Sequence, residues 1–305
     1  MVHICKPIIK WVGGKTQILP TLMELFPKNI NNYHEIFLGG GSVLLGLLSM
    51  VKHNIIHVRG NILAYDLNEP LIYLYKNIQS NPELLSIDIE QIITQFKKCN
   101  GNIINRKPSN FSEACTSSES FYYWNRSLYN NLSPQEKNSI YGSALFLFLN
   151  KTCFRGVFRV GPNGFNVPYG HYKNPEIMNK EHLYEIHQLI QNVVFQVLDF
   201  VDSIETTVTD DFVYLDPPYV PEHETSFVGY TINGFNTTQH EVLFDICKKQ
   251  LYDKNIKMMM SNSDVPLTRN TFKEPEYTVD TISCKRSINS KKPGSKTSEI
   301  IIRNY

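Results

Sequence analysis

The chain has 305 residues, 42% hydrophobic and 19% charged, which is enough apolar mass for one large domain or two ordinary ones and too much for a disordered tail. Its longest apolar runs, such as Ala144–Leu149, are far too short to span a bilayer, and Lys6, Lys10 and Lys15 interrupt any N-terminal hydrophobic stretch, so an intracellular protein without signal or membrane span is expected. Six cysteines without a Cys-x-x-Cys pair exclude a zinc ribbon and fit reduced thiols better than a disulfide framework.

The first hundred residues alternate strand and helix. Pro7–Lys10 predicts a short strand, Trp11-Val12-Gly13-Gly14-Lys15 a Gly-rich turn, and Thr16 an N-cap for a helix carrying Ile18, Leu19, Leu22 and Leu25. Glu35–Leu38 predicts a second strand that runs into Gly39-Gly40-Gly41-Ser42. The following run, Val43–Val51, is apolar on every side and suits a helix buried against a sheet. Ile62–Tyr65 is a third strand ending at Asp66. Asn68 then caps a helix with Pro70 in its first turn and Leu71, Leu74, Tyr75 and Ile78 on its apolar face.

The character changes after Asn81. Residues 99–119 are rich in Asn, Ser and Lys and predict a loop, whereas Tyr122, Tyr123, Trp124, Leu128 and Tyr129 open an aromatic helical section. Gly156, Gly161, Pro162, Gly164, Pro168 and Gly170 make residues 150–174 a loop or hairpin. From Pro70 to Asn174 eleven Lys and Arg stand against six Asp and Glu, a net of +5 in a chain whose total is +1. A basic central segment in a neutral protein offers a footprint to an anionic partner. Alternation resumes with strands at Val193–Leu198, ending at Asp199, and Phe212–Leu215, ending at Asp216-Pro217-Pro218-Tyr219. A helix at Thr237–Tyr252 precedes a strand at Ile256–Met260 that ends in Ser261-Asn262. Tyr277–Ser283 and Glu299–Arg303 predict two last strands joined by a basic turn. The pattern is one α/β sheet split by an inserted segment of about a hundred residues.

Four features fall where an open α/β sheet holds its ligands, at the carboxyl ends of strands. Glycines at 39–41 allow a tight turn and close backbone approach to a ligand. Asp66, one strand later, suits the two hydroxyls of a ribose, and the pair favours an adenosine-containing cofactor, a dinucleotide or S-adenosylmethionine. The third feature, Asp216-Pro217-Pro218-Tyr219, decides between them. Two prolines remove two N–H groups and stiffen the turn, so that the Asp216 carboxylate and the Pro217 carbonyl form paired acceptors for an exocyclic NH₂. Tyr219 offers a face on which a flat base stacks, worth roughly 1–3 kcal/mol. Accepting both amine protons frees the nitrogen lone pair to attack a methyl group, with no metal or covalent nucleophile required. Last, Lys15 suits a cofactor carboxylate and Trp11 an adenine face or a sulfonium.

In this order the motifs resemble the Dam-type adenine-N6 DNA methyltransferases in their alpha-class arrangement. The likeness runs over nearly the whole chain. It rests on Lys10-Trp11-Val12-Gly13-Gly14-Lys15, Glu35-Ile36-Phe37-Leu38-Gly39-Gly40-Gly41-Ser42-Val43, Asp66-Leu67-Asn68, Asn150-Lys151-Thr152-Cys153-Phe154, Phe165-Asn166-Val167-Pro168-Tyr169-Gly170, Asp216-Pro217-Pro218-Tyr219 and Ser261-Asn262-Ser263-Asp264. Arg286-Ser287-Ile288-Asn289 and Asn304-Tyr305 continue it.

The resemblance implies a Rossmann-like S-adenosylmethionine-dependent methyltransferase sheet formed by residues 1–69 and 175–305, with residues 70–174 as an inserted, mainly helical target-recognition domain. The implied reaction methylates adenine N6 in a short palindrome of double-stranded DNA, with base flipping into the Asp-Pro-Pro-Tyr pocket and S-adenosyl-L-homocysteine as product. Trp11, Gly13, Lys15, Asp66 and Asp216 are implied cofactor residues, with Phe37, Gly39 and Gly41 shaping the pocket and Asp199 near the adenine. Asp216, Pro217, Pro218 and Tyr219 are implied to be catalytic. On the DNA side Arg159 matches an arginine that reads guanine and Phe154 an aromatic that enters the base stack, beside Lys151, Arg155, Asn163 and Pro168.

Departures lie in the same hairpin. Arg155 stands where relatives reading G-A-T-C commonly carry Asn, and the loop Gly161-Pro162-Asn163-Gly164 is one residue shorter than theirs. The target stays open between G-A-T-C and a related site such as C-A-T-G. Nothing demands more than a monomer, and no membrane or metal partner is expected. Restriction–modification beside an endonuclease, replication control and protection of a viral genome are all compatible roles. Two rivals remain: a catalytically inactive DNA-binding relative, and an RNA or protein-amide methyltransferase using the same turn.

Overall fold

The computed structural model describes residues 2–221, 235–285 and 296–305. In chain order its strands are β1 (Asn29–Ile30), β2 (Tyr33–Glu35), β3 (His57–Val58), β4 (Ile62–Tyr65), β5 (Val160–Gly161), β6 (Gly164–Phe165), β7 (Val193–Gln196), β8 (Phe212–Leu215), β9 (Lys257–Ser263), β10 (Thr278–Lys285) and β11 (Lys296–Arg303). Seven of them form one sheet in the order β10-β11-β9-β8-β2-β4-β7. The five from β9 to β7 are mutually parallel, and β11 and β10 close the other edge antiparallel. The chain runs outward from β2 through β4 to β7 and then returns to pair β8 with β2. That reversal puts a topological switch point between β2 and β8, and ligands of open α/β sheets bind outside the carboxyl ends of such strands.

The sheet is covered on both faces, and its strands show it. Phe212 and Tyr214 of β8 enter one core while Val213 and Leu215 enter the other. Successive strand residues point to opposite faces, so a strand buried on both reads as a continuous apolar run. The first face carries helices α1 (Leu19–Leu25), α2 (Ser42–Lys52) and α3 (Glu69–Ser80), with α3 packed on β7 through Tyr75 stacked 5.3 Å from Phe195. Helix α2 buries every residue from Ser42 to Ser49, as its all-round apolar sequence requires. The chain continues through α4 (Pro82–Lys98), the single turn α5 (Phe111–Ala114), α6 (Ser118–Asn131), the single turn α7 (Pro134–Lys137) and α8 (Ile140–Thr152). Phe148 meets Phe96 and Phe121 edge to face at 5.4 and 5.9 Å, and Phe96 and Phe121 lie tilted at 6.1 Å, which interlocks these helices. The hairpin β5–β6 follows, and α9 (Lys180–Leu189) packs against α2, α3 and α4. The second face carries α10 (Phe200–Glu205) and α11 (Thr237–Ile246), which runs into a π-turn at Cys247–Tyr252. No helix among the described residues is long and apolar enough to cross a membrane.

Three local expectations are corrected. Pro7–Lys10 pairs with no strand, because Ile8 and Ile9 are both buried and the Asn150 side chain takes up the Lys10 backbone, accepting from its N–H and donating to its C=O at 2.8 Å each. Thr16 does not cap α1; Ile18 stands at the cap with no side-chain bond. Strand β2 spans 33–35 rather than 35–38, although the ladder continues through Ile36 N–H to Tyr214 C=O and Leu38 N–H to Tyr65 C=O. The basic turn and Arg286–Asn289 lie outside the described residues.

Candidate active site

The Gly-rich turn after β2 is held from three sides. Gly39 and Gly41 sit at φ of +50° and +73°, where a side chain is strained. At Gly40 an added Cβ would stand 2.8 Å from the Trp11 Cβ, so Trp11 and the turn are packed backbone to ring. Tyr75 donates from its hydroxyl to the Gly40 carbonyl at 2.7 Å. Asp66, at the end of β4, accepts from Gly39 N–H at 2.9 Å and from Asn68 N–H at 2.8 Å. Burial pushes its pKa up and those two donors push it back. Two of the roughly four lone-pair sites of the carboxylate are thus used, and the others are free of these bonds.

One strand over, the Asp216 turn meets the N-terminal loop. Lys15 is buried, with its ammonium 2.8 Å from Asp216 Oδ1 and donating to the Gly13 carbonyl at 2.6 Å. The same ammonium lies 4.9 Å from the centre of the Tyr219 ring. Burial raises the Asp216 pKa, Lys15 lowers it, and Glu299 adds a raising contribution. Tyr219 donates from its hydroxyl to Glu299 Oε2 at 2.8 Å. The far end of the turn is locked to β9: Val220 donates its N–H to Asn262 Oδ1 at 3.1 Å and accepts from the Ser263 hydroxyl at 2.6 Å.

Two acidic residues that sequence reasoning did not select belong to this neighbourhood. Glu35 closes β2 fully buried, accepting from the Tyr33 hydroxyl at 2.7 Å. Desolvation carries its pKa up to about 8, with the charge of Asp216 adding to the shift. Glu299 is the other. A carboxylate inside a central parallel strand was the available signal for Glu35; for Glu299, on the antiparallel β11, there was none.

Phe37 stacks on Phe200 at 6.0 Å and meets the edge of Phe235 at the same distance, an aromatic wall beside the start of α10. Asp199 is the N-cap of that helix, accepting from Asp202 N–H at 2.9 Å.

The remaining candidates lie on the hairpin. Trp11 stacks on Phe158 at 6.2 Å, and Asn150 ties Lys10 to the Gly156 carbonyl as well, so the N-terminal Gly-rich loop and the hairpin share one joint. Phe154, Arg155, Arg159, Asn163 and Pro168 are exposed, Phe154 at 48%, and Lys151 is half-buried behind them. Arg155 adopts φ +56° with its guanidinium 5.2 Å from the Phe154 ring. Arg159 is held by Nε to Asn166 Oδ1 at 2.7 Å. Burial and the neighbouring Lys10 lower the Lys151 pKa. The structure therefore gathers the candidates into two groups, one around Lys15 and Asp216 and one on the hairpin, joined through Trp11 and Asn150.

A family model for D12 class N6 adenine-specific DNA methyltransferases matches residues 11–288. The chain belongs to that family. Among similar proteins, the Type II methyltransferase M.MjaIII of Methanocaldococcus jannaschii is 34% identical over 98% of this chain and 99% of its own. The Type II methyltransferase M1.LlaDCHI of Lactococcus lactis is 32% identical over 98% and 95%. A DNA adenine methylase of Haemophilus influenzae is 30% identical over 89% and 84%. Membership makes the chain an adenine-specific DNA methyltransferase and implies use of S-adenosylmethionine.

Proposed function

We propose that the chain methylates N6 of an adenine extruded from duplex DNA, within a short palindrome such as G-A-T-C or C-A-T-G. The observation that carries this reading is the Lys15–Asp216 contact at 2.8 Å, which joins the N-terminal Gly-rich loop to the Asp-Pro-Pro-Tyr turn beside the β2–β8 switch point. The donor set suits S-adenosylmethionine. Asp66 has lone pairs for ribose hydroxyls, Lys15 is a cation for a carboxylate, and Gly13, at φ +84°, leaves open space where a side chain would stand. Phe37 and Phe200 supply an apolar wall for an adenine, with Asp199 at its edge. When bound, the cofactor supplies an electrophilic methyl group on a sulfonium centre.

The chain's own residues prepare the nucleophile. An aromatic amine attacks poorly because its lone pair is conjugated into the ring. Asp216 and the Pro217 carbonyl, as acceptors for the two amine hydrogens, localise that pair on nitrogen. Tyr219, anchored through Glu299, offers the stacking face, and Asp216, as acceptor for an amine hydrogen, is placed to take up the proton the amine gives up. Duplex DNA hides N6 in the stack, so extrusion costs a few kcal/mol. We assign that work to the inserted segment 70–174, less α3, which packs on the sheet, with Phe154 as wedge, Arg159 as guanine reader, and Lys151, Arg155, Asn163 and Pro168 along the same face. The two relatives named Type II methyltransferases favour a restriction–modification setting.

The test is modification mapping on a plasmid from a methylation-deficient host, incubated with the protein and S-adenosylmethionine. N6-methyladenine confined to one short palindrome supports the reading and fixes the target. Cofactor binding without DNA methylation would overturn it in favour of another substrate.

A further inference from the structure

The N-terminal segment that leads into the Lys10–Lys15 loop crosses helix α9 before it reaches the sheet. Where they cross, Cys5 Sγ, a ring nitrogen of His182 and a carboxylate oxygen of Glu185 lie within 4.8 Å of one another. His3 stands outside that trio and meets one member of it, its Nε2 2.8 Å from Glu185 Oε1, so it is the fourth donor nearest to hand. The spacing explains the convergence. His3 and Cys5 are two apart on an extended segment and share one side, and His182 and Glu185 are three apart on one helix face. Both pairs are fixed from behind: Cys5 N–H donates to the Ser49 hydroxyl at 3.1 Å, and His182 N–H donates to Asn179 Oδ1, the N-cap of α9.

We propose that Cys5, His182 and Glu185, completed by His3, form a structural site for a borderline-soft divalent cation, with Zn²⁺ as the best fit. A thiolate, two imidazoles and a carboxylate are the donor mix of a closed tetrahedral site rather than of a calcium or magnesium site, which takes oxygens. The charges also balance, since one thiolate and one carboxylate neutralise a dication and leave a neutral cluster around the buried Cys5. Bond lengths near 2.0–2.3 Å put tetrahedral donors about 3.5 Å apart, so Cys5, His182 and Glu185 close in by about an ångström and the exposed His3 side chain swings in to join them. The donors come from two pairs far apart in the sequence, His3 and Glu185 being separated by 182 positions, and include a single cysteine, so no paired-cysteine motif marks them. The consequence is mechanical: a cation here clips the segment leading to Trp11 and Lys15 onto α9.

The test uses the full chain, reduced and stripped with a chelator, and Co²⁺ as probe. The expected result is one Co²⁺ per chain with a near-ultraviolet thiolate-to-cobalt absorption that is lost in Cys5→Ser and kept in Cys115→Ser. Zn²⁺ should raise the Tm of the parent protein and leave that of Cys5→Ser unchanged. Should Cys5→Ser fold poorly, Glu185→Gln, on the half-exposed face of α9, serves in its place with Zn²⁺ affinity lowered about tenfold or more. No stoichiometric uptake, uptake without the thiolate band, or equal affinity in Glu185→Gln would overturn the proposal.

Discussion

Lys15 and Asp216 stand 201 positions apart in the sequence and meet at 2.8 Å in the fold. Each depends on the other: burial raises the pKa of Asp216, and the Lys15 ammonium is the group that opposes it. Removing one partner of a buried pair leaves an uncompensated charge, a cost of about 3–5 kcal/mol. Lys15→Met should therefore lower stability by about 3 kcal/mol in denaturant unfolding. The double variant Lys15→Met with Asp216→Asn should recover part of that loss, and strict additivity of the two changes would contradict the coupling.

Glu35 sets a pH dependence of stability. Its folded pKa, pushed up to about 8 by burial, lies above the ordinary glutamate value of 4.5. Between those values the folded state binds the proton more tightly than the unfolded state, so this contribution is full below about pH 4.5 and is lost as pH rises through 8. Glu35→Gln keeps an acceptor for the Tyr33 hydroxyl and cannot ionise. Thermal unfolding across pH 5–8 should show the parent losing on the order of 3 kcal/mol more stability than the variant. Taking the difference cancels the opposite contribution of His240, whose pKa burial lowers to about 4.

Asn150 is the joint between the N-terminal Gly-rich loop and the hairpin. Asn150→Ala leaves the Lys10 N–H, the Lys10 carbonyl and the Gly156 carbonyl without their partner. A loss of about 2–3 kcal/mol in stability is expected, together with a several-fold weaker calorimetric affinity for S-adenosylmethionine. An unchanged cofactor affinity would show that the joint does not position Trp11 and Lys15.

Arg159 should govern sequence choice and leave chemistry intact. A bidentate arginine–guanine contact discriminates by about 1–3 kcal/mol, so Arg159→Ala should reduce the preference for the target over single-base variants by about tenfold or more. Competition between oligonucleotide substrates reads this directly. Unchanged selectivity would remove Arg159 from the readout.

Much of the frame was legible in the sequence. Ile62–Tyr65 and Phe212–Leu215 are the strands read residue for residue, because burial on both faces makes each an unbroken run between polar turns. The start of β2, Tyr33–His34, was hidden by His34, a polar residue buried through a bond to Asp211 that only the fold supplies. Helices α4 and α9 went unread. The Gly-rich turn and Asp216-Pro217-Pro218-Tyr219 were visible because runs of glycine and proline at the ends of strands stand out in sequence. The pairing of Lys15 with Asp216, the anchoring of Tyr219 by Glu299 and the Asn150 joint were not, since each links residues that are near only in space.

The most direct measurement is Asp216→Ala assayed in parallel for methyl transfer and for binding of a target duplex. On the proposed role of Asp216 as an electrostatic acceptor for the amine, transfer should fall by about a hundred- to a thousandfold, while duplex affinity stays within a few-fold. Equal loss of both, or near-normal transfer, would contradict the role assigned to the Lys15–Asp216 centre.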